Sequence, residues 1–453
     1  MKTIRARLRV DDSGLSLIEV IVAMMVFAIV AVGVAYTLTN ILTLTKDARS
    51  KEVASNLASE ALDAARSLEN VFSVTSYSQE TPIDGITYTL DFHSEWETGT
   101  DAGAQCGAAD STVGGSLQYK SVNIEVEWEG MRSGAKPVRL DTLLAPNDRI
   151  NTPGLGTILV SVLNANNVGN EGIVVSAVPT VVSPNTARAI TETILPTDRE
   201  GCSYILKVVP GTYTVSISRV GSVDSLQGLS PSSTIISVKA GETSSAGFSF
   251  DAAARYSLRY ASNAATTPLM PSNIEATYVN TNNSPVIAGS TASLFPFTDG
   301  YTVVAGRYIK AVETNLGCLS PNPVEWQTPA ADGAIGVGEP VVTLLPGGSS
   351  PVNVPMGVLT VSGSAIGKFL TAVPQFTSPT GDPGCATQRI YTFPKITTAT
   401  STVALPYGTW ALYVGASSGQ QSSQLGASSI APLTRNIKTG DLVTLDPRTV
   451  PAP

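Results

Sequence analysis

The chain has 453 residues, a formal net charge of −8, 43% hydrophobic residues and only 14% charged ones. That length suggests more than one domain and the apolar share suggests packed cores, while the negative balance leaves no electrostatic footprint for a nucleic-acid binder. One histidine and four widely spaced cysteines exclude a histidine-based metal centre, a Cys-x-x-Cys site and a choice of base for a Ser-His-Asp arrangement. With no Gly-rich phosphate loop or EF-hand spacing either, no enzyme, metal or cofactor is expected.

The chain opens with Lys2, Arg5, Arg7 and Arg9, then an apolar run over residues 20–36 headed by Glu19. The run is long enough to cross roughly 30 Å of hydrocarbon as a helix. A carboxylate in such a segment costs roughly 2.5–3.5 kcal/mol, so an acid kept there points to a job and a partner. Three readings compete. A secretory signal peptide explains the basic start, but the run exceeds the usual apolar core and lacks a small-x-small cleavage site. A plain membrane anchor with its basic end inside explains the run but not Glu19.

The third reading rests on Gly14-Leu15-Ser16-Leu17-Ile18-Glu19, which resembles the processing site of type IV prepilins and pseudopilins, commonly Gly-Phe-Thr-Leu-Ile-Glu. The resemblance implies that residues 1–14 are a cytoplasmic leader, removed after Gly14 by a membrane-embedded prepilin peptidase. Leu15 would become the N-terminus, where N-methylation is frequent. Glu19 would become the fifth mature residue, paired with the α-amino group of a neighbouring subunit's Leu15, since a buried carboxylate is tolerated once a cation reaches it. Two features depart from the pattern: Leu15 stands where phenylalanine is usual, and no helix-kinking proline lies near Tyr36. The second fits a minor pilin or pseudopilin at least as well as a major pilin.

Beyond Tyr36 the helical pattern continues. Val53, Leu57, Ala61, Ala64, Leu68 and Val71 recur at three- and four-residue spacing without Gly or Pro, which predicts one helix over residues 15–71, roughly 85 Å long, with residues 15–36 as its transmembrane half. The alternative is two helices with a break near Asn40. Residues 85–92, 122–128 and 138–143 alternate apolar and polar and predict three antiparallel strands. Long helix followed by such strands is the layout of pilin-like domains, so the resemblance extends over residues 15–146. His93 reads as a surface residue. Glu95 with Glu97, and Glu125, Glu127 and Glu129, read as acidic strand faces rather than a glycosidase pair.

Residues 147–155, with Pro153 and Gly154, read as a linker. A repeat follows. Val208-Val209-Pro210-Gly211-Thr212-Tyr213-Thr214-Val215 recurs as Val303-Val304-Ala305-Gly306-Arg307-Tyr308-Ile309-Lys310 and as Leu405-Pro406-Tyr407-Gly408-Thr409-Trp410-Ala411-Leu412. Gly241-Glu242, Gly338-Glu339 and Gly440-Asp441 follow as second markers, read as turns into a last strand. The period predicts β-sandwich modules at 156–252, 253–350 and 351–448 before a tail at 449–453. The aromatic after each glycine is expected to open a strand and enter the core. The pattern resembles carboxypeptidase-regulatory-like or prealbumin-like domains, which are spacers or binding scaffolds rather than catalysts. The loop Asn164-Ala165-Asn166-Asn167 suits sugar or calcium, though it is ordinary turn chemistry first.

In an exported protein Cys106, Cys202, Cys318 and Cys385 are expected to form two disulfides. Four cysteines allow three connectivities, of which Cys106–Cys202 with Cys318–Cys385 would staple neighbouring modules. The fold class expected is therefore an α+β pilin-like domain followed by three all-β, Ig-like or prealbumin-like sandwiches. The function expected is that of a minor type IV pilin, held in the bacterial cytoplasmic membrane with its N-terminus inside and then moved to a surface filament. Its modules would serve adhesion or assembly initiation at the tip. The partners implied are the prepilin peptidase, other pilin subunits, the inner-membrane assembly platform, and a host-surface, sugar or protein ligand. A type II secretion pseudopilin and a membrane-tethered adhesin outside any filament are the alternatives.

Overall fold

The computed structural model describes residues 17–68, 71–98, 117–132, 134–145, 154–375 and 381–450. The chain divides into two compact units, one formed by the N-terminal helix with its sheet and the other by the modules that follow.

In the first unit, α1 (Leu17–Ser67) is a single helix of 51 residues, roughly 75 Å long, with no break at Asn40. Its threonine-rich middle holds because the hydroxyls fold back on the helix. Thr37 donates to the Gly33 carbonyl, Thr43 to Thr39 and Thr45 to Ile41, each at 2.8 Å. These bonds satisfy the polar groups four residues back and leave an apolar outer surface. The helix stops at Ser67, short of the expected Val71, which instead opens a 3₁₀ turn, Val71–Ser73.

The sheet runs β1 (Tyr77–Ile83), β2 (Ile86–Thr98), β3 (Leu117–Trp128), β4 (Val138–Leu144), in that spatial order. Four strands stand where three were expected. Tyr77–Ile83 is a polar edge strand containing Pro82, paired with β2 through the Asp84–Gly85 turn. Proline and polar residues are what an edge tolerates and what hides a strand from an alternation test. Alternate residues of β2 and β3, among them Tyr88, Leu90, Phe92, Trp96, Val122, Ile124 and Val126, are buried.

The helical face that is buried only partly matches the expected one: Ala61 is shared, and Val71 is buried in the turn beyond the helix. The buried face is Ser50, Ala54, Ala58, Ala61 and Ala65, whereas Val53 and Leu57 are half-buried and Ala64 and Leu68 exposed. Small side chains let the helix backbone come close to the sheet, and the larger ones flank the contact. Arg66 reaches Thr142 on β4 at 3.1 Å, and Arg132 pairs with Asp47 at 2.8 Å. Lys120 is buried, with its ammonium donating to the Val74 carbonyl and lying 5.7 Å from the Trp96 ring centroid.

The second unit holds three two-sheet modules. In the first, strands Val174–Pro179, Gly211–Ser218 and Ser232–Val238 face a sheet built on Gly156–Leu163. The last strand, Thr243–Ala252, runs parallel beside that opening strand. The second module repeats this plan: Ser349–Val354 lies parallel beside Ala254–Tyr260, so its final strand crosses the expected boundary at 350. The third module departs from the plan. Its opening strand, Gly357–Ser362, sits between antiparallel Thr400–Leu405 and Ile430–Pro432. Each module encloses one apolar core between its sheets.

The repeat is real, but its middle copy is shifted. Tyr213 and Trp410 lie near the start of equivalent strands, buried, opposite Ile236 and Val443. Their polar tips donate to carbonyls four residues back, Tyr213 Oη to Val209 at 2.9 Å and Trp410 Nε1 to Pro406 at 3.0 Å. In the second module that role falls to Gly300-Tyr301, not Gly306-x-Tyr308. Tyr301 opens strand Tyr301–Ala305 opposite Val342, and its hydroxyl donates to the Phe295 carbonyl at 2.9 Å. A buried aromatic tied to the preceding turn fixes strand entry in the manner of a tyrosine corner. The turn into the last strand of this module is at Gly347, not Gly338-Glu339.

Gly306 has another use. At φ +88°, a Cβ there would come within 2.8 Å of Pro406 in the third module. The second and third modules are thus pressed together. Ile274 packs against both cores, Glu275 is buried between Arg307 and Arg389 at 3.2 and 3.0 Å, and Arg435 grips Asp332 through two bonds at 2.7 and 2.8 Å. That grip holds the Asp332 carboxyl well below the usual range.

The close helix–sheet approach makes a prediction. Ala58→Leu, at a fully buried position, will overpack the contact and destabilise the first unit by about 1–3 kcal/mol in chemical denaturation. An unchanged midpoint would show that this face is not tightly packed.

Candidate functional site

The uncovered part of α1 is the first candidate. From Leu17 to Lys46 every residue is exposed, although the apolar part has a mean hydropathy of 2.8 over its best 18-residue window. By length and composition this helix suits a membrane span. Glu19 lies in the first turn, where the positive end of the helix dipole favours an acid. It shares a shallow surface with Ile18, Val22, Ala23, Val26, Phe27 and Val30, all apolar. Among the described residues Glu19 has no ion pair and no hydrogen bond. Gly14, Leu15 and the leader 1–14 lie outside the described residues.

The cysteines are the second candidate. Cys318 is bonded to Cys385, closing a separation of 67 residues between loops of the second and third modules. The two residues face each other across a short antiparallel bridge, with Leu319 N–H donating to Gly384 and Ala386 N–H to Gly317, both at 2.8 Å. Cys202 is also disulfide-bonded, and Cys106 lies outside the described residues.

His93 is exposed, 3.8 Å from Glu95. Glu125 meets Arg139 at 3.5 Å on an exposed strand face, and Arg139 also holds Asp141. Among the described residues no cluster of His, Cys, Asp and Glu could hold a metal ion. The loop 164–167 is a turn whose Asn164 side chain accepts from the Asn166 and Val168 N–H groups. The structure brings it next to a second asparagine-rich turn, Asn280 to Asn283, a juxtaposition that spacing along the chain does not reveal.

Residues 9–35 match the prokaryotic N-terminal methylation motif. No curated protein matches the chain in sequence. Among solved structures it is similar to the Bacillus anthracis TIE protein, at 13% identity over 76% of this chain and 69% of that one, with a TM-score of 0.19. It is also similar to a streptococcal ancillary pilin (9% identity, 51% and 75% covered, TM-score 0.19). A third is the major pilin subunit of Bacillus cereus (11% identity, 64% and 95% covered, TM-score 0.20). TM-scores this low carry no argument. The chain therefore carries a prepilin-type N-terminus, continuous with a long apolar helix and followed by a large all-β region. Motif and helix together fit a membrane-anchored, pilin-like surface subunit.

Non-reducing peptide mapping of exported protein will recover a Cys318–Cys385 peptide. Cys318→Ser will lower stability by about 2–5 kcal/mol; wild-type stability in that variant would mean that the junction does not depend on the bond.

Proposed function

We propose that the chain is a minor pilin-like subunit, cut after Gly14 by a prepilin peptidase and built into a surface filament through α1. The carrying observation is the match over residues 9–35 running directly into a helix whose apolar half is covered by none of the described residues. Lipid covers that half first and other subunits' helices cover it afterwards, drawn from the membrane by the inner-membrane assembly platform. Glu19 then sets the stagger. An acid among Ile18, Val22 and Val26 has to find a cation from another molecule, and the freed α-amino group of a neighbouring Leu15 is a compact one. The modules are non-catalytic. Their bulk suits the filament tip, where they serve adhesion or the start of assembly.

N-terminal sequencing and intact mass of the mature protein test the processing step. The chain is expected to begin at Leu15, with its mass raised by one methyl group where it is methylated, and Gly14→Val will leave the leader attached. A mature chain starting at Met1, or cut beyond Tyr36, would remove the pilin reading.

Assembly is tested separately. Glu19→Ala will be cleaved normally but will fall at least about tenfold in sheared filament fractions, as loss of a buried charge pair implies. Normal incorporation of that variant would refute the pairing role.

A further inference from the structure

Two asparagine-rich turns, far apart in sequence, meet where the first and second modules join. Residues 164–167 follow strand Gly156–Leu163, and residues 280–283 follow strand Glu275–Val279. Between them lies a solvent-open bay of about 510 Å³ whose lining includes Asn164, Asn167, Asn282, Asn283, Phe297 and Asp299. That volume falls within the ~300–1,000 Å³ of small-ligand sites.

The walls of the bay are held in place. Asn283 Nδ2 donates across the junction to the Ser225 carbonyl at 2.7 Å. Gln227, at the tip of a turn in the first module, donates to Tyr301 Oη at 3.0 Å and accepts from Phe295 N–H at 2.8 Å. Asp299 receives Asn280 Nδ2 at 2.9 Å and Thr281 Oγ1 at 2.5 Å. The Phe297 ring is packed against Tyr301, with centroids 5.9 Å apart.

Within this frame one amide is uncommitted and a second is only partly used. Among the described residues the Asn167 side chain has no hydrogen bond. The Asn282 amide uses only its nitrogen, donating to Asn280 Oδ1 at 3.1 Å. Asn167 also holds φ at +58°, a left-handed conformation that asparagine tolerates and that sets where its amide starts from.

Amides that donate and accept at once, beside an aromatic ring and with little charge, match the alternating donors, acceptors and apolar faces of a sugar. A calcium ion matches less well. It needs six to eight oxygen ligands with several carboxylates among them, and Asp299, the one carboxylate of the bay, already has both oxygens engaged. We propose that this bay binds a neutral oligosaccharide. The proposal rests on the reading of the modules as displayed outside the cell, but binding needs neither cleavage at Gly14 nor filament assembly, so the two fail separately.

The test is saturation-transfer NMR on the full chain in a sugar-free zwitterionic detergent, with maltotriose, cellotriose and N-acetylchitotriose as probes. At least one trisaccharide should take up saturation. Asn282→Ala and Asn167→Gly should each weaken its binding about tenfold, the glycine keeping the left-handed backbone. Ser233→Ala, an exposed site elsewhere on the first module, should leave binding unchanged, and all three variants should melt like the parent chain. No transfer to any of the three sugars at millimolar concentration would overturn the proposal. So would equal binding by the Asn167→Gly/Asn282→Ala double variant. A calcium-dependent rise in melting temperature that Asp299→Asn abolishes would give the bay to a cation instead.

Discussion

The constraint on which the rest depends is that none of the described residues covers the apolar first half of α1. A soluble domain would fold back over such a surface, since each buried large aliphatic side chain gains about 1.5–3 kcal/mol. Here the described residues supply no such cover. The threonine hydroxyls at 37, 43 and 45 are taken up by the helix's own carbonyls. Among the described residues Glu19 is the one charged group in the first six turns of that surface, which otherwise is almost wholly apolar. Apolar contact alone is non-directional, whereas a single acid in a low-dielectric setting discriminates strongly between aligned and misaligned neighbours.

The second half of the same helix solves a different problem. With alanines at 54, 58, 61 and 65 buried, it meets the sheet through backbone proximity rather than interlocking large side chains. One helix thus changes surroundings along its length, from an exposed apolar surface to its own sheet, without a break in its hydrogen bonding.

The legible and illegible parts of this architecture divide on physical grounds. Hydropathy and the spacing of Gly14 and Glu19 made the N-terminal half readable, because one strong signal ran unbroken for many residues. Of the alanine stripe only Ala61 was readable, and Ala54, Ala58 and Ala65 were missed, since alanine suits a close contact and an exposed surface equally. Tyr77–Ile83 escaped as a polar edge. The repeat was readable where glycine, aromatic and strand coincided, at Tyr213 and Trp410. It was misplaced in the second module because Gly306-Arg307-Tyr308 mimics the motif just after the strand that Gly300-Tyr301 begins. There glycine serves close approach to Pro406 instead. The asparagine bay depended on two turns meeting in space, a long-range fact that local pattern does not encode.

The Cys318–Cys385 bond also has a mechanical side. Any chain held at one end and loaded at the other is pulled along its length. A covalent cross-link takes the enclosed segment out of the extensible path. The 67-residue separation it closes corresponds to about 220–240 Å of contour length that stays folded away under load. Together with the two-bond grip of Arg435 on Asp332, the cross-link ties the second and third modules to each other at more than one point. Under tension, extension would begin elsewhere in the chain.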